Sequence, residues 1–218
     1  MPEFATGLVL AAGGSTRLGQ PKQLLPLGSG TLLDRVLSIA RASPFDALLC
    51  VVGGGADEVR ARVDFAGVQV VENDAFGSGC SSSIAAALSA VDERTDVLVL
   101  MLGDQPGITV STVEALLAGR RGAPLAVCAY TTGRGHPLAF GRAMFPELAE
   151  LHGDKAVWKL LDRFSDGVVE VLIDSPIPRD VDTWEDYEGG SPGAGRGDRL
   201  SRLPGRGGIR SPRRLPRR

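Results

Sequence analysis

Aromatic side chains are scarce: two Trp, two Tyr and seven Phe among 218 residues. The interior must therefore be filled mainly by Leu, Val, Ala and Ile. Cysteines number three, Cys50, Cys80 and Cys128, far apart, with no CxxC pair and no His close to them in sequence. That pattern fits reduced, partly buried thiols and argues against a disulfide framework or a zinc site. No apolar run reaches the ~18 residues of a membrane-spanning helix. The opening Met1-Pro-Glu-Phe-Ala lacks a basic region followed by an apolar one, so the expected location is the cytoplasm.

Charge is unevenly placed. Residues 189–218 carry nine Arg and one Asp, together with eight Gly and four Pro. Such a segment cannot bury enough apolar surface to order itself and is expected to be a solvated tail. The remaining residues hold 15 basic and 25 acidic side chains. An acidic body argues against nucleic acid as the partner. The expected organisation is one domain over residues 1–188 and a tail over 189–218.

The body alternates short apolar runs with segments of helical spacing. Strands are expected at 7–12, Ala47–Val52, 68–71, Val97–Leu102 and Leu125–Tyr130. Helices are expected from Thr31, where Thr31 and Asp34 resemble a capping box, and at 57–64, 83–91 and 111–118. This alternation implies an α/β fold, with a mainly parallel central sheet and helices on both faces. Past residue 130 the pattern loosens, with helices expected at 145–151 and 154–163, a strand at Val168–Ile173 and a closing helix at 183–187. Ligands of such sheets bind beyond the carboxyl ends of the strands. The loops after Ala12, Val71 and Leu102 should therefore share one edge.

The first of these loops reads Leu10-Ala11-Ala12-Gly13-Gly14-Ser15-Thr-Arg17-Leu18-Gly19-Gln-Pro21-Lys22-Gln23-Leu24-Leu25-Pro26. Paired glycines at the end of a buried strand let consecutive N–H groups face an anion. Arg17 and Lys22 add positive charges suited to phosphate. The P-loop pattern fails, because Gln20-Pro21 stands where Lys-Ser/Thr is required. The dinucleotide fingerprint fails too, since Gly13-Gly14 followed by Gly19 is not G-x-G-x-x-G, which speaks against a dehydrogenase. In the second loop, Asn73 through Ser83 is rich in glycine and hydroxyls. It can cap the following helix or read the edge of a base. In the third, Asp104 follows the most apolar strand directly. A strand-end carboxylate beside a phosphate cradle suits Mg²⁺, which takes one or two carboxylates plus phosphate oxygens and water.

These segments together resemble the molybdenum cofactor cytidylyltransferase branch of the MobA-like NTP transferases. The first loop is similar to that branch's signature, with Ala12 and Pro21-Lys22-Gln23 where guanylyltransferase relatives usually read L-A-G-G and D-K. The resemblance covers roughly residues 7–188. It implies a Rossmann-like domain of the nucleotide-diphospho-sugar-transferase type. It implies nucleotide contacts from Leu10, Ala11, Ala12, Gly13, Gly14, Arg17, Lys22, Asn73, Gly79 and Ser83. Cys80 stands where Met is usual. Arg17, Lys22 and Asp104 are the implied catalytic residues. Gly103-Asp104-Gln-Pro106 matches the family's G-D-x-P, whose Asp binds Mg²⁺. Asp182, in a segment like the family's closing D-I-D-T-P-E-D motif with Trp184 in place of Pro, would complete the metal site. The alternative is that Asp182 or Thr183 caps the last helix. Arg134 and His136 match a segment facing the acceptor.

The implied reaction joins CMP from CTP to a phosphorylated acceptor, by resemblance molybdopterin, with Mg²⁺ as cofactor and pyrophosphate released. A molybdoenzyme receiving the product is the implied protein partner; no nucleic-acid or membrane partner is expected. The rival readings are a guanylyltransferase using GTP, a sugar-phosphate cytidylyltransferase, and a non-catalytic chaperone for the pterin cofactor.

Overall fold

The structure is a computed structural model that describes residues 2–15, 18–153 and 155–190. The first strand is β1 (Ala5–Ala11). The chain then forms a small ribbon, β2 (Pro26–Leu27) with β3 (Gly30–Thr31), and helix α1 (Leu32–Ala42). There follow β4 (Ala47–Val52), α2 (Ala56–Arg62), β5 (Gln69–Glu72), α3 (Cys80–Leu88), β6 (Val97–Leu102) and α4 (Val110–Arg120). The second half adds β7 (Leu125–Tyr130), β8 (Gly133–Gly141), α5 (Phe145–Ala149), α6 (Ala156–Arg163), β9 (Val168–Ile173) and α7 (Trp184–Gly190). Seven strands form one sheet in the order β5-β4-β1-β6-β8-β7-β9.

Two-residue alternation divides the core. Val9 of β1 and Val97, Val99 and Met101 of β6 pack on one face with Leu33, Val36 and Leu37 of α1 and Val113 and Leu116 of α4. Leu8, Leu98 and Leu100 pack on the other with Ile84 of α3, Leu148 of α5 and Leu160 of α6. A strand clothed on both faces needs apolar or internally satisfied residues at every position, which is why β4, β6 and β1 from Gly7 onward read as unbroken apolar runs, while the buried Thr6 hydroxyl pairs with that of Thr95 at 2.8 Å. Each such side chain contributes about 1.5–3 kcal/mol by leaving water.

β1 pairs in parallel with β4 and with β6, and β4 with β5. Their carboxyl ends therefore lie at one edge, and the loops after Ala11, Val52, Glu72 and Leu102 emerge there together. Helix starts follow local chemistry. Thr31 and Asp34 form the capping box expected of them. Helix α4 begins earlier than the Ser111 expected from sequence: Thr109 caps it, its hydroxyl accepting from Thr112 N–H at 3.2 Å. The loosened region past residue 130 contains a nine-residue strand, β8, that sequence patterning did not predict. It runs antiparallel to both β6 and β7. The β7 partner jumps from Leu138 at Val127 to Gly135 at Cys128, so the ladder steps over His136 and Pro137. That step accommodates a proline inside an internal strand, since Pro has no N–H to give. No helix among the described residues is long and apolar enough to cross a membrane.

Candidate active site

The first loop turns back on itself through side-chain hydrogen bonds. The Gln23 amide, buried, donates to Ala11 C=O at 2.5 Å and Gly13 C=O at 3.2 Å. The Ser15 hydroxyl accepts from Lys22 N–H at 2.9 Å. Lys22 is thereby brought under the end of β1. Leu10 and Ala11 lie within the sheet, paired to Val51 and Val52 of β4, and Ala12, Gly13 and Gly14 extend beyond it. Arg17 lies outside the described residues.

The β4 loop closes against this cradle with no room for side chains. A Cβ on Gly53 would stand 2.8 Å from Ala12 C=O and 2.8 Å from Phe76 Cβ, and one on Gly54 would stand 2.9 Å from Gly14 Cα. Backbone cannot yield as a flexible side chain can. Gly53→Ala should therefore destabilise the protein by about 1–3 kcal/mol, read as a lower urea midpoint with an unchanged slope.

The second loop is organised by Asn73, which is buried. Its side-chain N–H₂ donates to the hydroxyls of Ser82 and Ser83, each at 2.9 Å, and its carbonyl accepts from Ala75 N–H at 3.0 Å. Asn73 and Ser83 are thus joined, and Gly79, at φ 100°, is the N-cap residue of α3. Ser81 accepts from Gly153 N–H at 2.8 Å, tying the start of α3 to the loop before α6. No side chain caps α3; Ser82 N–H, in its first turn, donates to Gly79 C=O at 3.2 Å.

The third loop brings the charges together. Lys22 Nζ lies 2.5 Å from Asp104 Oδ2 and 2.7 Å from Asp182 Oδ1. Asp104 Oδ1 is buried without a hydrogen-bond partner among the described residues. The closing segment is fixed to the strand end by main chain and side chain alike. Val181 N–H donates to Asp104 C=O at 3.0 Å, and the buried Gln105 amide donates to Asp180 Oδ1 at 2.6 Å. Capping of the last helix falls to Thr183 and Asp186: Asp186 N–H donates to the Thr183 hydroxyl at 3.2 Å, and Asp186 Oδ2 accepts from Thr183 N–H at 2.8 Å. The Asp182 carboxylate is turned instead toward Lys22.

Burial pulls the Lys22 ammonium toward a lower pKa, but the Asp104 charge, helped by Asp182, outweighs it and holds the pKa above the ordinary lysine value. Burial and then the Asp104 charge push Asp180 upward. Asp104 and Asp182 offer hard oxygens around a single point, and one of those oxygens is an orphan. That donor set fits a small divalent cation such as Mg²⁺ or Mn²⁺. The described residues contain no cluster of three or more His, Cys, Asp or Glu able to hold a metal, so phosphate oxygens and water would complete the shell.

The two residues expected to face the acceptor are placed differently from each other. Arg134, near the start of β8, pairs with Glu170 of β9, its Nε 2.7 Å from the carboxylate. His136 is buried and stands edge-on to Trp158, ring centroids 5.6 Å apart. Burial pushes its pKa down to about 4. The folded protein therefore refuses a proton that the unfolded chain accepts below about 6.5. Stability should be unaffected by this residue above that pH and fall as pH drops toward 4. By pH 5 the loss should be on the order of 2 kcal/mol. Unfolding followed at pH 7 and pH 5 should show this component in the parent and not in His136→Gln.

Sequence patterning assigns no role to Gln23, Gly53, Gln105 or Asp180. Gln23, Gln105 and Asp180 sit within the quoted motifs with no role of their own there, and the signal at the β4 loop is the Gly53-Gly54-Gly55 run after a buried strand.

The model of the MobA-like NTP transferase domain matches residues 7–168. A nicotine blue oxidoreductase from Paenarthrobacter nicotinovorans is 31% identical over 83% of this chain and 93% of its own length. The crystal structure of the homologue of Mycobacterium tuberculosis Rv0371c from Mycobacterium sp. strain JC1 is 55% identical. It superposes with a TM-score of 0.80 over 84% of this chain and 93% of that one. Rv0371c itself, solved in complex with manganese, is 42% identical with a TM-score of 0.75, covering 86% of this chain and 97% of that one.

Proposed function

Because the chain belongs to the MobA-like NTP transferase family, we propose that it is a magnesium-dependent cytidylyltransferase, moving CMP from CTP to the phosphate of molybdopterin. The observation that carries this reading is the meeting of Lys22, Asp104 and Asp182 at the sheet edge, beside the Gly13-Gly14 turn. The manganese named for Rv0371c supports a divalent cation at such a site. The choice of CTP and molybdopterin rests on the likeness of the first loop, Ala12 with Pro21-Lys22-Gln23, to the cytidylyl branch.

In this reaction an acceptor phosphate oxygen attacks the α-phosphorus of CTP, the bond to the bridging oxygen breaks, and pyrophosphate leaves. Gly13 and Gly14 admit the phosphates close to the backbone. Lys22 offsets charge that builds on the leaving oxygens, and Arg17 adds to it. Asp104 and Asp182 would hold the cation. When bound, Mg²⁺ neutralises and orients the phosphate oxygens. A phosphate acceptor is already ionised, so the step needs no strong general base. The burial of His136 in uncharged form agrees with that. Asn73, through Ser82 and Ser83, shapes the shelf on which the base rests.

The test is pyrophosphate release from purified protein with Mg²⁺ and each of the four NTPs, with and without molybdopterin. Release with CTP only when molybdopterin is present is the expected result. Release with GTP instead moves the protein to the guanylyl branch. Pterin binding with every NTP silent favours a chaperone. Turnover of nicotine blue without pyrophosphate release would favour the chemistry named for the Paenarthrobacter relative.

A further inference from the structure

We propose that Lys22 is the resident counter-ion of the Asp104–Asp182 pair and that a divalent cation enters by exchanging with it, the triphosphate giving the ammonium its next partner. This rests on the proposed metal site and adds an order of events to it.

One ammonium reaches both carboxylates, at 2.5 and 2.7 Å, while its side chain is 13% exposed, that of Asp104 19% and that of Asp182, on the solvent side, 48%. Two carboxylates converging in such a place repel unless a cation lies between them. The chain supplies one itself. Lys22 is suited to leave: lysine carries a compact charge on a flexible stem, with no planar fork to disengage. Its stem already runs beside the glycine turn, Lys22 Cε standing 3.9 Å from a Cβ placed on Gly13. The glycine turn is the phosphate cradle, so the ammonium moves from carboxylate to phosphate within one loop.

A cation and Lys22 therefore compete for the same oxygens, and NTP relieves the competition. Cation and nucleotide binding should be coupled, each strengthening the other. The protein without nucleotide should bind the cation weakly.

Binding of Mn²⁺ alone, followed by loss of the free-ion electron paramagnetic resonance signal, tests this. Lys22→Met should bind Mn²⁺ about tenfold more tightly than the parent without nucleotide. In the parent, CTP should tighten Mn²⁺ by a similar factor; in the variant that gain should shrink. Equal or weaker Mn²⁺ affinity in the variant overturns the exchange while leaving the metal site standing. Failure of the parent to bind Mn²⁺ even with CTP overturns the metal site and the exchange with it. A second measurement needs no variant. The chain has three lysines, Lys22, Lys155 and Lys159, and the latter two are exposed. Acylation mapped by mass spectrometry should speed up at Lys22 when saturating Mn²⁺ is added, relative to the other two. A Lys22 rate that is unchanged or lower overturns the exchange.

Discussion

Asp104→Asn should reduce pyrophosphate release at saturating NTP by about 10³-fold, with the sheet intact. The main-chain carbonyl of residue 104 keeps its bond from Val181 N–H whatever the side chain, so the closing segment stays docked. What changes is charge. The amide is a poor ligand for a hard cation, and it leaves Lys22 attracted to Asp182 alone. If the amide nitrogen falls in the Oδ1 position, it occupies a buried place with no hydrogen-bond partner. A buried donor without an acceptor costs about 1–3 kcal/mol. The variant should therefore melt a few degrees lower, far too little to account for the lost turnover. Turnover measured against Mg²⁺ concentration decides the matter: a variant with full Mg²⁺-dependent activity would show that Asp104 does not hold the metal.

Lys22→Ala should lower turnover by about 10²–10³-fold, with most of the loss in kcat. The charge it removes matters most when the leaving oxygens gain theirs. The two variants should separate cleanly in metal binding. Loss of Asp104 should weaken Mn²⁺, whereas loss of Lys22 should not. A Lys22→Ala protein with normal kcat and raised KM would show that the ammonium binds ground-state nucleotide only.

Much of this arrangement is legible in the sequence. Ala47–Val52, Val97–Leu102, Leu125–Tyr130 and Val168–Ile173 emerge as strands with the boundaries read from sequence. The first three are buried on both faces and show as plain apolar runs. The carboxyl-edge rule was enough to bring Lys22 and Asp104 to one place. β8 was hidden because Gly133, Gly135, Pro137 and Gly141 all read as interruptions, and only the pairing partners on either side make them a strand. The burial of His136 depends on Trp158, which lies on a helix well downstream. Gln23 and Gln105 look like ordinary surface amides until the carbonyl and carboxylate they hold are known. Tightness at Gly53 depends on Ala12 and Phe76, and no periodicity records such a contact.

The chemistry at the sheet edge also has a chronology. Lys22 lies 82 residues from Asp104 but 160 from Asp182. During synthesis, which proceeds from the N-terminus, a growing chain owns the phosphate cradle and its first carboxylate while nearly half the domain is unmade. The second carboxylate arrives with the final turn of folding, carried in beside α7 and fastened to residue 104. On the proposed metal site, a ribosome-bound or truncated chain would hold Lys22 and Asp104 and still lack the second ligand, so that competence would be conferred last.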